Sequence, residues 1–257
     1  MSTLGVRSLL GVAREARAGA VEARPLVLGG ARELGSLLAK ELRAGGDAAA
    51  VDEHGSVEGA AALVWIGLPD QEMLRRAARA KVPIVGVTDG SSLPYVLDTD
   101  LVVLPPGQGL PVGEIVRALA RALGDRRVGL AARLPVLRAA VVEELVESCA
   151  RRNGLIAAAV FVPGADLPIL TLNELRMVIG VAHANGGELG LARVPELLGV
   201  LAAGFGSRRL ARGLCAFVPA AGFALKGAVA YATTRAIGEA ACVRFGSGDG
   251  LSVRRGT

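Results

Sequence analysis

The segment Gly29-Gly30-Ala31-Arg32-Glu33-Leu34-Gly35-Ser36 has the residue types that a phosphate-binding turn requires. Glycines let backbone amides at a helix N-terminus come close enough to a phosphate to donate to it. Set against the pattern GxxxxGK[ST], Gly30 and Gly35 fall on the two glycines. Ser36, however, stands at the lysine position and Leu37 at the Ser/Thr position. The first change removes the cation that contacts the β- and γ-phosphates, and the second removes a magnesium ligand. Hydrolysis of a nucleotide through this turn is therefore not expected. Gly29, Gly30, Gly35 and Ser36 are retained as candidates for holding a nucleotide weakly. Read instead as a dinucleotide turn, the same segment has Asp52 or Glu53 near the place of a ribose-binding acid. The only tyrosines, Tyr95 and Tyr231, each lack a lysine four residues on. Hydride transfer of the short-chain dehydrogenase kind thus lacks its acid.

Other polar residues extend this list. Leu68-Pro69-Asp70 stands where an acid loop for magnesium would lie, and Thr88-Asp89-Gly90 occupies the place of a guanine-reading Asn-Lys-x-Asp loop without the Asn-Lys. Asp89 is a candidate for a base-edge contact, in competition with a plain Asp-Gly turn. Arg208, Arg209 and Arg212 follow Gly204 and Gly206 and suit an anionic lipid headgroup or an acidic protein partner. Gly-x-Ser-x-Gly, His-Glu-x-x-His and paired-carboxylate patterns are missing, so hydrolase chemistry has no support. Cys149, Cys215 and Cys242 are scattered, and His54 and His183 lie far apart. This spacing suits neither a zinc site nor a disulfide framework, and it fits a reducing compartment. No metal and no tightly held cofactor are expected.

The elements that must carry these residues change character along the chain. Residues 25–29 read as a buried strand, 31–44 as an amphipathic helix, 48–52 and 61–66 as strands, and 70–80 as a helix. Strands over 84–88 and 101–104 and a helix over 114–123 complete an alternating pattern, which predicts a parallel sheet covered on both faces. Beyond Gly124 no strand is expected. A helix over 136–152 ends at Asn153-Gly154, and Thr171 with Glu174 reads as a capping box opening a helix that runs to Ala184. Pro195 opens another helix, and the last spans about 220–245. In it Ala220, Ala224, Ala228, Ala232, Ala236 and Ala240 form a stripe of small side chains at four-residue spacing. Such a stripe permits close helix packing, within the fold or between two copies of the chain.

Composition agrees with two halves of different kind. Of the 257 residues 52% are hydrophobic but only 3% aromatic, and the mean hydropathy is +0.47. Disorder is excluded, and so are aromatic stacking platforms for single-stranded nucleic acid. No nucleic-acid partner is expected. Residues 1–127 carry 15 basic and 15 acidic side chains, whereas residues 128–257 carry 14 and 9, so the whole excess of +5 lies in the second half. A basic, apolar half suits an anionic membrane surface or an acidic partner. Arg7, Arg14, Glu15 and Arg17 interrupt any signal-peptide core, and residues 4–22 read as an amphipathic helix. The most apolar window, 214–232, averages roughly +1.5, the borderline for a spanning helix, and Lys226 sits near its middle. Residues 155–173 are similar and are interrupted by Asp166. The expected location is cytoplasmic, at the membrane surface or with one of these segments inserted.

The segment from about 166 to 245 resembles a small bacterial domain of unknown function associated with GTPases and found in related inner-membrane proteins. The resemblance rests on Leu167-Pro168, on Thr171-Leu172-Asn173-Glu174-Leu175-Arg176-Met177, on Gly204-Phe205-Gly206 with Arg212, on Pro219-Ala220-Ala221-Gly222, and on Tyr231-Ala232-Thr233-Thr234-Arg235-Ala236-Ile237-Gly238. It covers about a third of the chain. It implies a helical, often membrane-associated domain and no catalytic residues. By the same resemblance the first half looks like a degenerate GTPase domain, matched by position only at Gly30 and Gly35.

The expected organisation is a Rossmann-like, degenerate P-loop-GTPase-like α/β domain over 1–127, joined to an all-α, Gly/Ala-rich domain over 128–257. Two functional readings stand. One is a non-catalytic scaffold or regulator that docks through its helical half. The other is a protein that binds GTP, ATP or NAD at the turn over 29–36, with Asp89 as a further contact.

Overall fold

The computed structural model describes residues 24–160, 167–187 and 222–246. The expected helix over 4–22, the helix opened by Pro195, and Arg208, Arg209 and Arg212 lie outside the described residues. Two compact units divide between Val141 and Val142.

The first unit is built on five parallel strands: β1 (Leu26–Gly30), β2 (Val51–Asp52), β3 (Ala62–Ile66), β4 (Ile84–Thr88) and β5 (Leu101–Val103). Their spatial order is β2-β1-β3-β4-β5. The helices are α1 (Arg32–Arg43), α2 (Gln71–Arg79), α3 (Val112–Ala122) and α4 (Arg127–Arg133). This is the α/β, Rossmann-like arrangement that the alternating pattern implies. The strands are apolar on both faces because both are covered. Leu26, Leu28, Val64, Ile66, Val85 and Val87 alternate with Val27, Leu63, Trp65 and Ile84, and all of them are buried. The first set shares its face with α1 and α3, whose Leu38, Leu42, Ile115 and Leu119 are fully buried. The second set packs with Leu74 and Ala77 of α2 and with Val57 and Leu93. That second face is thin. The β2–β3 and β4–β5 connections carry single 3-10 turns, Val57–Gly59 and Asp98–Asp100, in place of helices. β2 is also shorter than the residue pattern suggests. Asp47 accepts from the Ala49 amide at 2.9 Å and winds Ala48–Ala50 into a 3-10 turn.

The second unit contains the helices α5 (Arg138–Ala159, which begins just before the division), α6 (Leu167–Ala184) and α7 (Gly222–Phe245). Here three local expectations give way to tertiary contacts. Asn153-Gly154 does not stop α5, which runs on to Ala159. The Asn153 side chain is instead fully buried, donating to Thr234 Oγ1 at 3.0 Å and accepting from Asn173 at 2.9 Å. Gly154 lets α7 approach, because a Cβ there would lie 3.1 Å from the carbonyl oxygen of Gly227. Thr171 is not an N-cap, since α6 already begins at Leu167. Glu174, fully buried, accepts from Thr234 at 2.9 Å, so its carboxylate serves a contact between helices rather than a capping box. The alanine stripe also departs from close packing. Ala224, Ala228, Ala232, Ala236 and Ala240 are exposed, while Gly227, Ala230, Thr233, Thr234, Ile237, Gly238 and Ala241 form the buried side of α7. The buried side has its own small residues, one position out of phase with the exposed stripe. Lys226 donates to the Val160 carbonyl at 2.9 Å, satisfying an acceptor just beyond the end of α5.

Candidate functional site

In a doubly wound sheet a ligand sits beyond the carboxyl ends of the strands, where the strand order reverses. With the order β2-β1-β3-β4-β5 that place is the crevice between β1 and β3. Gly29 and Gly30 end β1 there, and Trp65 and Ile66 end β3 opposite them. The sequence candidates thus lie at the right edge of the sheet, and local geometry decides what each can do.

The turn from β1 to α1 is a single residue. β1 ends at Gly30, Ala31 caps the helix in an extended conformation, and α1 begins at Arg32. A phosphate-wrapping loop needs several consecutive free amides, and this turn spends its own. The Ala31 amide donates to the Ile66 carbonyl at 2.9 Å, and the Gly35 amide donates to the Ala31 carbonyl at 2.9 Å as an ordinary helix bond. The glycines answer to different demands. Gly29 makes room for the Trp65 ring, whose nearest atom would lie 2.7 Å from an added Cβ. Gly30 has a φ of +93°, in the left-handed region, and a Cβ there would lie 2.0 Å from the Ile66 carbonyl oxygen. Gly35 has no atom within 4 Å of an added Cβ.

Ser36 is engaged with an acid rather than left for a metal. Its hydroxyl donates to Glu53 at 2.9 Å, and Arg43 donates to the other Glu53 oxygen at 2.8 Å and to the Val51 carbonyl at 2.8 Å. The Ser36 hydroxyl, seconded by Arg43, holds the Glu53 carboxyl below its usual range. Glu53 is the acid that a dinucleotide reading places near a ribose, and here it ties α1 to the end of β2.

The remaining acids are committed to local turns. Asp70 caps α2, accepting from the amides of Glu72 and Met73 at 3.0 and 3.1 Å. Asp89 follows β4, two strands from β1 and so about 10 Å away across the sheet. It accepts from the Ser91 amide at 3.1 Å, and hydrogen bonds from Ser91, side chain first, hold its carboxyl below the usual carboxylate range. Thr88 is buried and donates to the Ser91 carbonyl at 2.8 Å, closing the same turn. The structure therefore brings Gly29, Gly30, Gly35, Ser36 and Glu53 together around one turn and sets Asp89 apart from them. The contact that residue reasoning did not anticipate is the Ser36–Glu53–Arg43 linkage. Its signal was the helical spacing that puts Ser36 and Arg43 two turns apart on one side of α1.

What remains for a ligand is the first turn of α1. The amides of Arg32, Glu33 and Leu34 have no carbonyl one turn earlier in the helix to receive them, and they carry the positive end of the helix dipole. No group of three or more His, Cys, Asp or Glu side chains among the described residues is placed to hold a metal ion. No helix among the described residues is long and apolar enough to cross a membrane. Comparison with protein-family models, with curated proteins and with solved structures gave no match.

Proposed function

We propose that this chain is a non-catalytic scaffold or regulatory protein, in which a degenerate GTPase-like α/β unit is joined to a helical unit that docks on a membrane surface or an acidic partner. One observation carries the reading. Three polar groups of the glycine turn are consumed by the fold itself, Gly35 N–H in the helix ladder, Ser36 Oγ on Glu53 and Ala31 N–H on Ile66, which leaves only the first-turn amides of α1. A nucleotide would have to break these bonds to be held as a phosphate loop holds it. Calorimetric titration of the full chain with GTP, ATP and NAD is expected to be flat. Saturable binding of any of the three at micromolar concentration overturns the scaffold reading. The docking half is supported by the charge excess of residues 128–257. Co-flotation with vesicles rich in anionic lipid tests it, and a chain that neither floats nor is retained by membranes after fractionation defeats the membrane form. The exposed alanine face of α7 offers the helical unit a surface for a second copy, which sedimentation across a concentration series reads directly.

A second reading has one observation in its favour. The α1 N-terminus lies at the reversal of strand order, where phosphate groups bind in doubly wound sheets. It predicts weak nucleotide binding through the first-turn amides, without hydrolysis.

A further inference from the structure

At the amino edge of the same sheet, opposite the glycine turn, the α/β unit has a solvent-open concavity of about 420 Å3. It is lined by Lys81, Val82, Pro83, Ala122, Leu123, Asp125 and Arg126. Neither cation has an ion-pair partner among the described residues. Arg126 spends one guanidinium nitrogen on the Ala61 carbonyl at 3.0 Å, which anchors its head at the start of β3.

Lys81 stands at a costly position. The α2 helix ends in a Schellman motif, with the Val82 amide on the Ala77 carbonyl at 3.0 Å and the Lys81 amide on the Ala78 carbonyl at 3.1 Å. The residue after the cap in this motif adopts left-handed φ and is usually glycine. Here it is lysine, with φ +54°. The lysine is not needed to balance the helix dipole, because α2 already has Arg76 and Arg79 in its last turn and α3 has Arg121. Lys81 is thus a side chain that glycine would replace with less strain, and it lines the concavity with a second cation against a single acid, Asp125.

We propose that this concavity binds a small organic anion, a carboxylate or a phosphate monoester, held by Lys81 and Arg126. Asp125 makes the lining charge +1 and selects against highly charged ligands, so a singly or doubly charged small molecule fits and a polyanion does not. The site is separate from the glycine turn and does not depend on the scaffold reading.

The test uses the full chain, with inorganic phosphate and succinate as separate probes, in low-salt buffer and followed by amide chemical shifts. Saturable shifts centred on residues 80–83 and 122–126 are expected, weakening at least tenfold in Lys81→Gly and in Arg126→Gln. Phosphate and succinate arms distinguish the two anion classes. Lys81→Gly is the decisive variant because glycine suits the left-handed backbone, so loss of binding there cannot be laid to unfolding. Lys40→Gln, on the exposed face of α1, controls for general charge. Absence of saturable shifts with both probes overturns the proposal. So does binding that is unchanged in Lys81→Gly, or weakened equally by Lys40→Gln.

Discussion

The glycines of the β1–α1 turn allow a sharp test of why they are there. If Gly30 and Gly35 both served a phosphate, replacing either would cost ligand binding and do little else. The structure instead separates them by the fold. Alanine at Gly35 meets no atom within 4 Å and sits inside α1, where glycine is the poorer helix former by about 0.8–1.0 kcal/mol. Gly35→Ala is therefore expected to stabilise the α/β unit by about 1 kcal/mol, raising its melting temperature by roughly 3 °C. Alanine at Gly30 must adopt a φ of +93° and places a methyl 2.0 Å from the Ile66 carbonyl oxygen. That oxygen also accepts from Ala31, so it cannot withdraw without breaking the bond that sets the turn. Left-handed strain and forced separation of β1 from β3 together put the cost of Gly30→Ala at about 3 kcal/mol or more. Urea titrations of the two variants, read by the Trp65 fluorescence that reports the same sheet, measure both. A destabilised Gly35→Ala, or a Gly30→Ala within about 0.5 kcal/mol of the parent, the usual range for an unconstrained site, refutes this account. The contrast also means that a Gly30 substitution is a poor probe of nucleotide binding, because it damages the sheet first.

Three further outcomes follow from other parts of the molecule. Glu58 is held down to about 2 by the Ser56 hydroxyl first and the Arg76 guanidinium second, against an ordinary value of 4.5. A depressed acid stabilises the fold above pH 4.5 and loses that contribution as pH falls toward about 2. Carboxyl chemical shifts should therefore show Glu58 titrating higher in Ser56→Ala, and by less in Arg76→Gln, and no movement in either variant contradicts the assignment. Thr234→Val removes both the donor to Glu174 and the acceptor for Asn153, and should cost about 1–3 kcal/mol in thermal unfolding. With Asn153→Leu it should show strong non-additivity in a double-mutant cycle. Gly227→Ala pushes a methyl to 2.9 Å from the Gly154 carbonyl oxygen and 3.1 Å from the Ala158 Cβ, and should cost about 1–3 kcal/mol with Gly238 left intact.

The α/β half could be read from residues because its rules are local. Apolar runs of about five residues ending in Gly or Thr, separated by helical spacing, left little choice but covered parallel strands. Residues such as Gly30 and Asp70 sit where short-range chemistry puts them, at a strand end and at a helix cap. The helical half resisted for the opposite reason. Asn153-Gly154 has the composition of a helix stop, and Thr171 with Glu174 that of a helix start. Asn153 and Glu174 are drawn into contacts with α7, 81 and 60 residues further on, as the buried Thr234 bonds show. Local propensity is worth at most about 1 kcal/mol per residue, and a satisfied buried polar network outweighs it. The alanine stripe erred by phase, since a four-residue repeat drifts around a 3.6-residue helix and does not mark which face is buried.

The same distinction bears on the glycine turn. A motif match counts residue types, whereas binding counts groups left over after folding. Gly30 matches a phosphate loop by type and is fixed by a carbonyl of the neighbouring strand. Ser36 is adjacent to the matched glycine and is fixed by Glu53. Lys81 belongs to no motif, yet it has an unspent charge, a strained backbone and a concavity beside it. The unspent side-chain charge of the α/β unit thus lies at the amino edge of its sheet, in no motif, while the carboxyl edge that the motif marks keeps only the backbone amides of the first turn of α1.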